Sequence, residues 1–240
     1  MVAFELAVQD AHGLDVAARL EVDRIELCSA LPLGGVTPSL GFIEAAVATP
    51  GIPPVHVLVR PRPGGFDYSP AEVATTLADV RHALAAGASG VVVGGVREGR
   101  VDLDLIGRIA DTGAEVTFHR AFDTLADSGA ALDDLVKLGV RRILTSAGAA
   151  RVADALPALS ALVTAAAGRI EIMAGGGIRP DAVTAVVATG VQAVHASAKR
   201  LIPDAVTVSL GTAAPAGGAG RETTDGDEAV RMLDALRRPA

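Results

Sequence analysis

The chain has 240 residues, half of them apolar, with aromatics at 2% and no tryptophan. That is enough apolar material for one sizeable aliphatic core, and the length suits a single barrel-type domain. A formal charge of −7 and a pI of about 5.2 argue against general nucleic-acid binding, which draws on a basic surface. The single cysteine, Cys28, excludes an intramolecular disulfide and suits a reducing compartment. No apolar run reaches the roughly 18–20 residues that span a bilayer. The start, MVAFELAVQD, lacks the basic-then-apolar order of a secretory signal, so a cytoplasmic protein with no membrane partner is expected.

Eight short runs rich in β-branched residues alternate with Ala- and Leu-rich stretches. In chain order they are 2–8, 24–30, 54–60, 90–96, 115–122, 142–147, 171–177 and 193–199. Each gap is long enough for a crossover helix and two loops, which predicts parallel strands. Helices are predicted over 70–86, where Ser69, Pro70 and Glu72 mark the start, and over 102–112, 127–138 and 180–189; several stop at a glycine. Residues 201–224, rich in Gly, Ala, Pro and Thr, read as a long loop, and 225–238 as a last helix capped by Thr224 or Asp225. The fold class is therefore α/β, a single-domain (β/α)8 TIM barrel over 1–240; an open doubly wound sheet fits the same alternation.

In a barrel the helices cover the outer face of every strand, so the apolar phase points out and the other phase points in. Phe4 and Leu6 place Glu5 inside. Ile25 and Leu27 place Glu26 and Cys28 inside. Val55, Val57 and Val59 place His56, Leu58 and Arg60 inside. By the same phase Thr117 and His119, then Glu171, Met173 and Gly175, then His195, Ser197 and Lys199 face inward. Barrel interiors are ordinarily filled with branched aliphatic side chains, and buried charge is unfavourable unless paired. This interior is either a polar plug, with Glu26 and Arg60 as a satisfied ion pair, or a functional pocket.

Gly175, Gly176 and Gly177 end the seventh run and lead through Arg179-Pro180 into a helix, while Ser197 and Lys199 end the eighth. Loops at these two places commonly hold phosphate in this fold, so the five residues are candidates for anion binding. Arg60 and Arg62 follow the third run and suit a carboxylate or phosphate, or a solvated loop. His119-Arg120-Ala-Phe-Asp123 follows the fifth: a histidine there suits a general base, a metal ligand or a satisfied core position. His56 lies deeper and reads as structural. Cys28 is the only thiol and has no Cys-x-x-Cys neighbour. Glu5, Glu26, His119 and His195 form a possible divalent-ion set.

Six strings carry a family resemblance: DRIELCSALPLGGVTPSLG (23–41), VHVLVRPRPGGFDYS (55–69), VTFHRAFD (116–123), RILTSAG (142–148), IMAGGGIRP (172–180) and VHAS (194–197). Together they resemble the CutC-type copper homeostasis family over about residues 2–200. The resemblance implies a cytoplasmic barrel, usually oligomeric, that binds copper. It carries over onto Glu26, Cys28, Arg60, His119, Arg120, Asp123, Ser146, Gly175 to Gly177, His195 and Ser197. Two functions follow as expectations. In the first the chain is a copper homeostasis protein that binds copper ion, with Cys28 as the metal residue. In the second it is an enzyme of the isomerase or lyase class on a small phosphorylated or carboxylated substrate. Its catalytic candidates are Glu26, Arg60, His119, Asp123 and His195, with the anion on Gly175–Gly177, Ser197 and Lys199.

Overall fold

The computed structural model describes residues 2–203 and 220–237. Eight parallel strands close into a barrel: β1 (Ala3–Val8), β2 (Arg24–Leu27), β3 (Val55–Leu58), β4 (Gly90–Val93), β7 (Glu115–Phe118), β8 (Arg142–Thr145), β9 (Glu171–Ala174) and β10 (Ala193–Ala196). Each strand pairs with the next of the eight, and β10 returns to β1 with Glu5 opposite His195. A two-stranded hairpin, β5 (Val96–Arg97) and β6 (Arg100–Val101), interrupts the series. The predicted TIM barrel is the fold, and the open sheet is excluded by the β1–β10 pairing.

Helices α1 (Ala11–Ala17), α2 (Leu40–Val47), α3 (Pro70–Ala85), α4 (Leu103–Ala110), α5 (Ser128–Lys137) and α6 (Leu156–Ala166) connect the strands. Their starts are chemically marked. Ser69 and Glu72 close a reciprocal capping box on α3, and Asp10, Asp102 and Asp127 each accept an N–H of the helix they open. The outward phase of the strands packs beneath these helices as one aliphatic core that includes Phe4, Leu6, Ile25, Val57, Phe118 and Ile172.

Two expectations need correction. The helix predicted over 180–189 is only α7 (Val183–Val187), because Pro180 to Ala182 form a turn before it. The loop predicted over 201–224 is not loop at its ends. There β11 (Lys199–Pro203) and β12 (Gly220–Thr224) pair as an antiparallel ribbon leading into α8 (Gly226–Arg237); positions 204–219 lie outside the described residues. Within the ribbon Leu201 lies opposite Glu222 and Lys199 opposite Thr224.

Inside the barrel the polar phase divides into two levels. At the amino ends of the strands, Arg24 and Arg142 open β2 and β8, and Glu115 and Glu171 open β7 and β9. Arg142 reaches Glu171 (2.6 Å), Glu115 (2.8 Å) and the Thr117 hydroxyl (2.9 Å); Arg24 reaches Glu5 (2.6 Å) and Glu171 (3.0 Å). His56 stands 3.8 Å from Glu115 and is held below its usual pKa by burial. These ion pairs surround His56 at the amino end of the barrel, away from the mouth, which agrees with its structural reading. Arg24 and Arg142 shared the inward phase but were not singled out in the sequence, since a strand-initial arginine looks like a surface residue.

Candidate functional site at the barrel mouth

Above the floor, at the carboxyl ends of the strands, lies a cavity of about 370 Å³. One wall carries Glu26 and His195, the other Arg60 and His119, with Leu58, Phe66 and Leu144 among the apolar residues between them. The closure of the barrel brings these groups together: Glu5 and His195 are 190 residues apart in the chain yet sit side by side in the β1–β10 register.

Glu5 links the two levels. It is fully buried; one carboxylate oxygen accepts Arg24 Nε at 2.6 Å, and the other meets His195 Nδ1 at 2.8 Å. Burial alone would raise its pKa. The hydrogen bond from His195 and the charges of His195, Arg24 and His56 outweigh that and hold it at about 2. Glu26 is the opposite case. Burial and the negative charge of Glu5 lift its carboxyl to about 7 against the pull of His195, and no hydrogen bond contributes. His195 is raised above its usual value: burial opposes, but Glu26 and Glu5 outweigh it. The ligand atoms of Glu5, Glu26 and His195 all lie within 4.8 Å of one another, and this is the one such cluster among the described residues. His119, expected as a fourth member, is not part of it.

His119 sits on the opposite wall. Its Nδ1 accepts the Ala121 N–H at 3.1 Å, and burial together with Arg60 lowers its pKa to about 3. The ring is therefore neutral, with its proton on Nε2. Gly94 makes room for it: a Cβ there would stand 2.2 Å from His119 Cε1. Arg60 does not pair with Glu26. It follows β3 and turns to the loop carbonyls of Gly35 (2.8 Å), Leu33 (3.2 Å) and Gly64 (2.7 Å).

Several candidates have other occupations. Asp123 does not reach the cavity. It holds the loop after β8, accepting from Thr145 and Ser146 hydroxyls, the Ser146 N–H and Arg120 Nε, so its expected catalytic place is corrected to an anchor. Arg120 and Ser146 belong to the same anchor, joined at 2.7 Å. The expected anion site also changes. Gly176, Gly177 and Ser197 border the cavity, but α7 has only five residues and starts beyond Pro180 rather than directly after the glycines. The glycines are explained by packing: a Cβ on Gly175 would lie 2.5 Å from Leu144 Cδ1, and Gly176 and Gly177 take positive φ of 109° and 67°. Lys199 stands at the rim with its ammonium held by both oxygens of Glu222 at 2.7 and 2.8 Å. Arg62, likewise, is paired with Glu72.

Cys28 faces inward, as its phase predicts, but packs with Leu58 and Val92 in a small apolar cluster. It is wholly buried, and burial followed by the charge of Glu26 pushes its thiol well above the ordinary range. A protonated, enclosed thiol is a poor ligand, since the thiolate is the species that binds metal.

Residues 2–200 match the CutC family. The chain is 42% identical to a CutC family protein of Agrobacterium fabrum (strain C58 / ATCC 33970), covering 97% of this chain and 92% of that one. It is 40% identical to one of Rhizobium meliloti (strain 1021), covering 100% and 98%. The crystal structure of a CutC from Streptococcus agalactiae, whose name ties it to copper homeostasis, is similar with a TM-score of 0.76 at 31% identity, covering 82% of this chain and 99% of that one. No helix among the described residues is long and apolar enough to cross a membrane. By the extent of these matches, the chain belongs to the CutC family.

Proposed function

We propose that this chain is a cytoplasmic copper homeostasis protein that holds copper as the divalent ion between Glu5, Glu26 and His195. The observation that carries the reading is the convergence of one imidazole and two carboxylates within 4.8 Å at the base of a cavity. Oxygen and imidazole donors suit a divalent ion, whereas a cuprous ion favours thiolate and thioether. The residues fit the first and not the second, because Cys28 is sealed among Leu58 and Val92. Glu5 Oε1 meets His195 Nδ1 at 2.8 Å, which leaves His195 Nε2 as the ligand nitrogen and the other lone pair of that oxygen for the ion. The names of relatives supply the link to copper; the site within this chain is our assignment.

The test is a copper titration of pure protein against a competing chelator, run beside two variants. His195→Gln is expected to lose at least tenfold in affinity and Cys28→Ser to bind as the parent does. Loss in Cys28→Ser with His195→Gln unaffected would return the site to the thiol. Assembly into a homo-oligomer is part of the same proposal, and sedimentation as a pure monomer at micromolar concentration removes it.

A second reading has its own support. Glu26 is buried, has no hydrogen-bond partner among the described residues and is raised to about 7 beside His195 on a cavity wall. That is the equipment of a general acid and base, and it favours an isomerase- or lyase-class enzyme on a small phosphorylated or carboxylated substrate. Deuterium incorporation from solvent into small oxo acids and sugar phosphates, followed by NMR, checks it. No exchange above the uncatalysed rate in any of them would remove the reading.

A further inference from the structure

The wall facing the metal cluster has an unbalanced charge. Its neighbours Arg62 and Arg120 are paired with Glu72 and Asp123. Arg60, only 6% exposed, has backbone carbonyls on its two terminal nitrogens and no acidic partner among the described residues. Carbonyl dipoles satisfy N–H groups but do not neutralise a buried cation. Its Nε–H has no acceptor. Neither has His119 Nε2–H, in a residue 5% exposed. The Tyr68 hydroxyl lies close to the same guanidinium. Buried donors in native proteins are ordinarily satisfied, so two unpartnered N–H groups beside one uncompensated charge point to a missing acceptor.

We propose that Arg60 and His119 form an anion-binding subsite of the mouth cavity that takes the carboxylate of a small organic acid. Three of the five N–H groups of Arg60 go to the loop, which leaves Nε–H and one N–H of Nη2 beside His119 Nε2–H, and a planar guanidinium with one further N–H suits a planar carboxylate. The neutral histidine adds a donor without adding charge, and Gly94 fixes its ring against the backbone. Phe66 covers the pair, its ring 4.9 Å from that of His119 and 5.1 Å from the Arg60 guanidinium carbon. The carboxylate seats as this side chain, carried on the loop after β3, moves aside. The remainder of the acid then extends across an apolar span of the cavity toward Glu26 and His195.

This subsite uses none of the three residues assigned to copper, so its failure leaves that reading standing, and the reverse holds. The test is a calorimetric titration of the metal-free full chain with oxalate and, separately, inorganic phosphate, together with nitrogen NMR of the histidine rings. Oxalate is expected to bind one to one and to shift His119 Nε2. Arg60→Gln and His119→Phe are each expected to weaken it at least tenfold, with circular dichroism unchanged. Arg60→Lys, which keeps the charge but loses the loop contacts, separates a fallen loop from a lost anion partner and is expected to bind between the two. Absence of oxalate binding in the parent, unchanged affinity in both Gln and Phe variants, or phosphate binding in preference to oxalate each overturns the proposal.

Discussion

Replacing Glu5 with glutamine probes the link between the barrel floor and the mouth. The carboxyl is fully buried and is held at about 2 against an ordinary 4.5. Because the folded value is the lower one, the ionised group stabilises the fold. That contribution is complete above the unfolded value and is lost as the pH falls through the folded one. A fall from 4.5 to about 2 corresponds to about 3 kcal/mol at neutral pH. Glu5→Gln should therefore lose about 3 kcal/mol in denaturant unfolding at pH 7, equivalent to a drop in Tm of roughly 6–12 °C for a chain of this size. The difference between parent and variant should shrink to less than about half of that near pH 3, where the carboxyl is protonated in the unfolded chain while still ionised in the folded one. A second readout comes from His195, whose raised pKa owes part of its lift to Glu5. In the variant its NMR titration should move down. A loss below about 1 kcal/mol, or a difference that stays constant with pH, would refute the reasoning that Glu5 acts as a charge rather than as packing.

Other consequences follow from the same geometry. Copper uptake should rise with pH through about 7, because Glu26 and His195 must shed protons to ligate; a chelator titration showing stronger binding at pH 5.5 than at 8 would contradict the assigned ligands. Cys28 should react with a thiol reagent at least about 100-fold more slowly in the folded chain than in denaturant, and prompt labelling of native protein would show that its enclosure is wrong. Gly94→Ala should displace the His119 ring and destabilise by about 1–3 kcal/mol, read as a changed His119 resonance and a lower unfolding midpoint. Arg142→Met leaves Glu115 and Glu171 without their shared cation and should lose about 3–5 kcal/mol, unless the two acids take up protons, which a pH series would reveal.

The alternation of strands explains why the inward residues were legible. Glu5, Glu26, His119 and His195 each lie out of phase with an outer row that must be apolar, and the eight runs pointed to a barrel, although the alternation alone also fits an open sheet and only the β1–β10 pairing closes it. Phase is a local property of one strand. Partnering is decided by register and by where a strand ends. Arg60 and Glu26 share the inward phase, yet Arg60 lies two residues beyond β3 and is captured by loop carbonyls, so the expected ion pair does not form. Cys28 has the right phase for a ligand, but its reactivity depends on Leu58 and Val92 from two other strands. Gly175 to Gly177 have the composition of an anion loop, while contact with Leu144 and Ser146 of the neighbouring strand's end leaves Gly175 and Gly176 little room for a side chain and the positive φ of Gly176 and Gly177 favours glycine. Asp123 is nearest to the mouth in sequence terms and is consumed by the β8 loop instead. The same distinction governs function. Arg24 and Arg142 end up compensated because four strand starts converge on them, and a compensated charge has no need of a ligand. Arg60 has only loop carbonyls as partners among the described residues, and it is this difference in partnering, not in residue type, that sets it apart from the two structural arginines and underlies the proposed anion subsite.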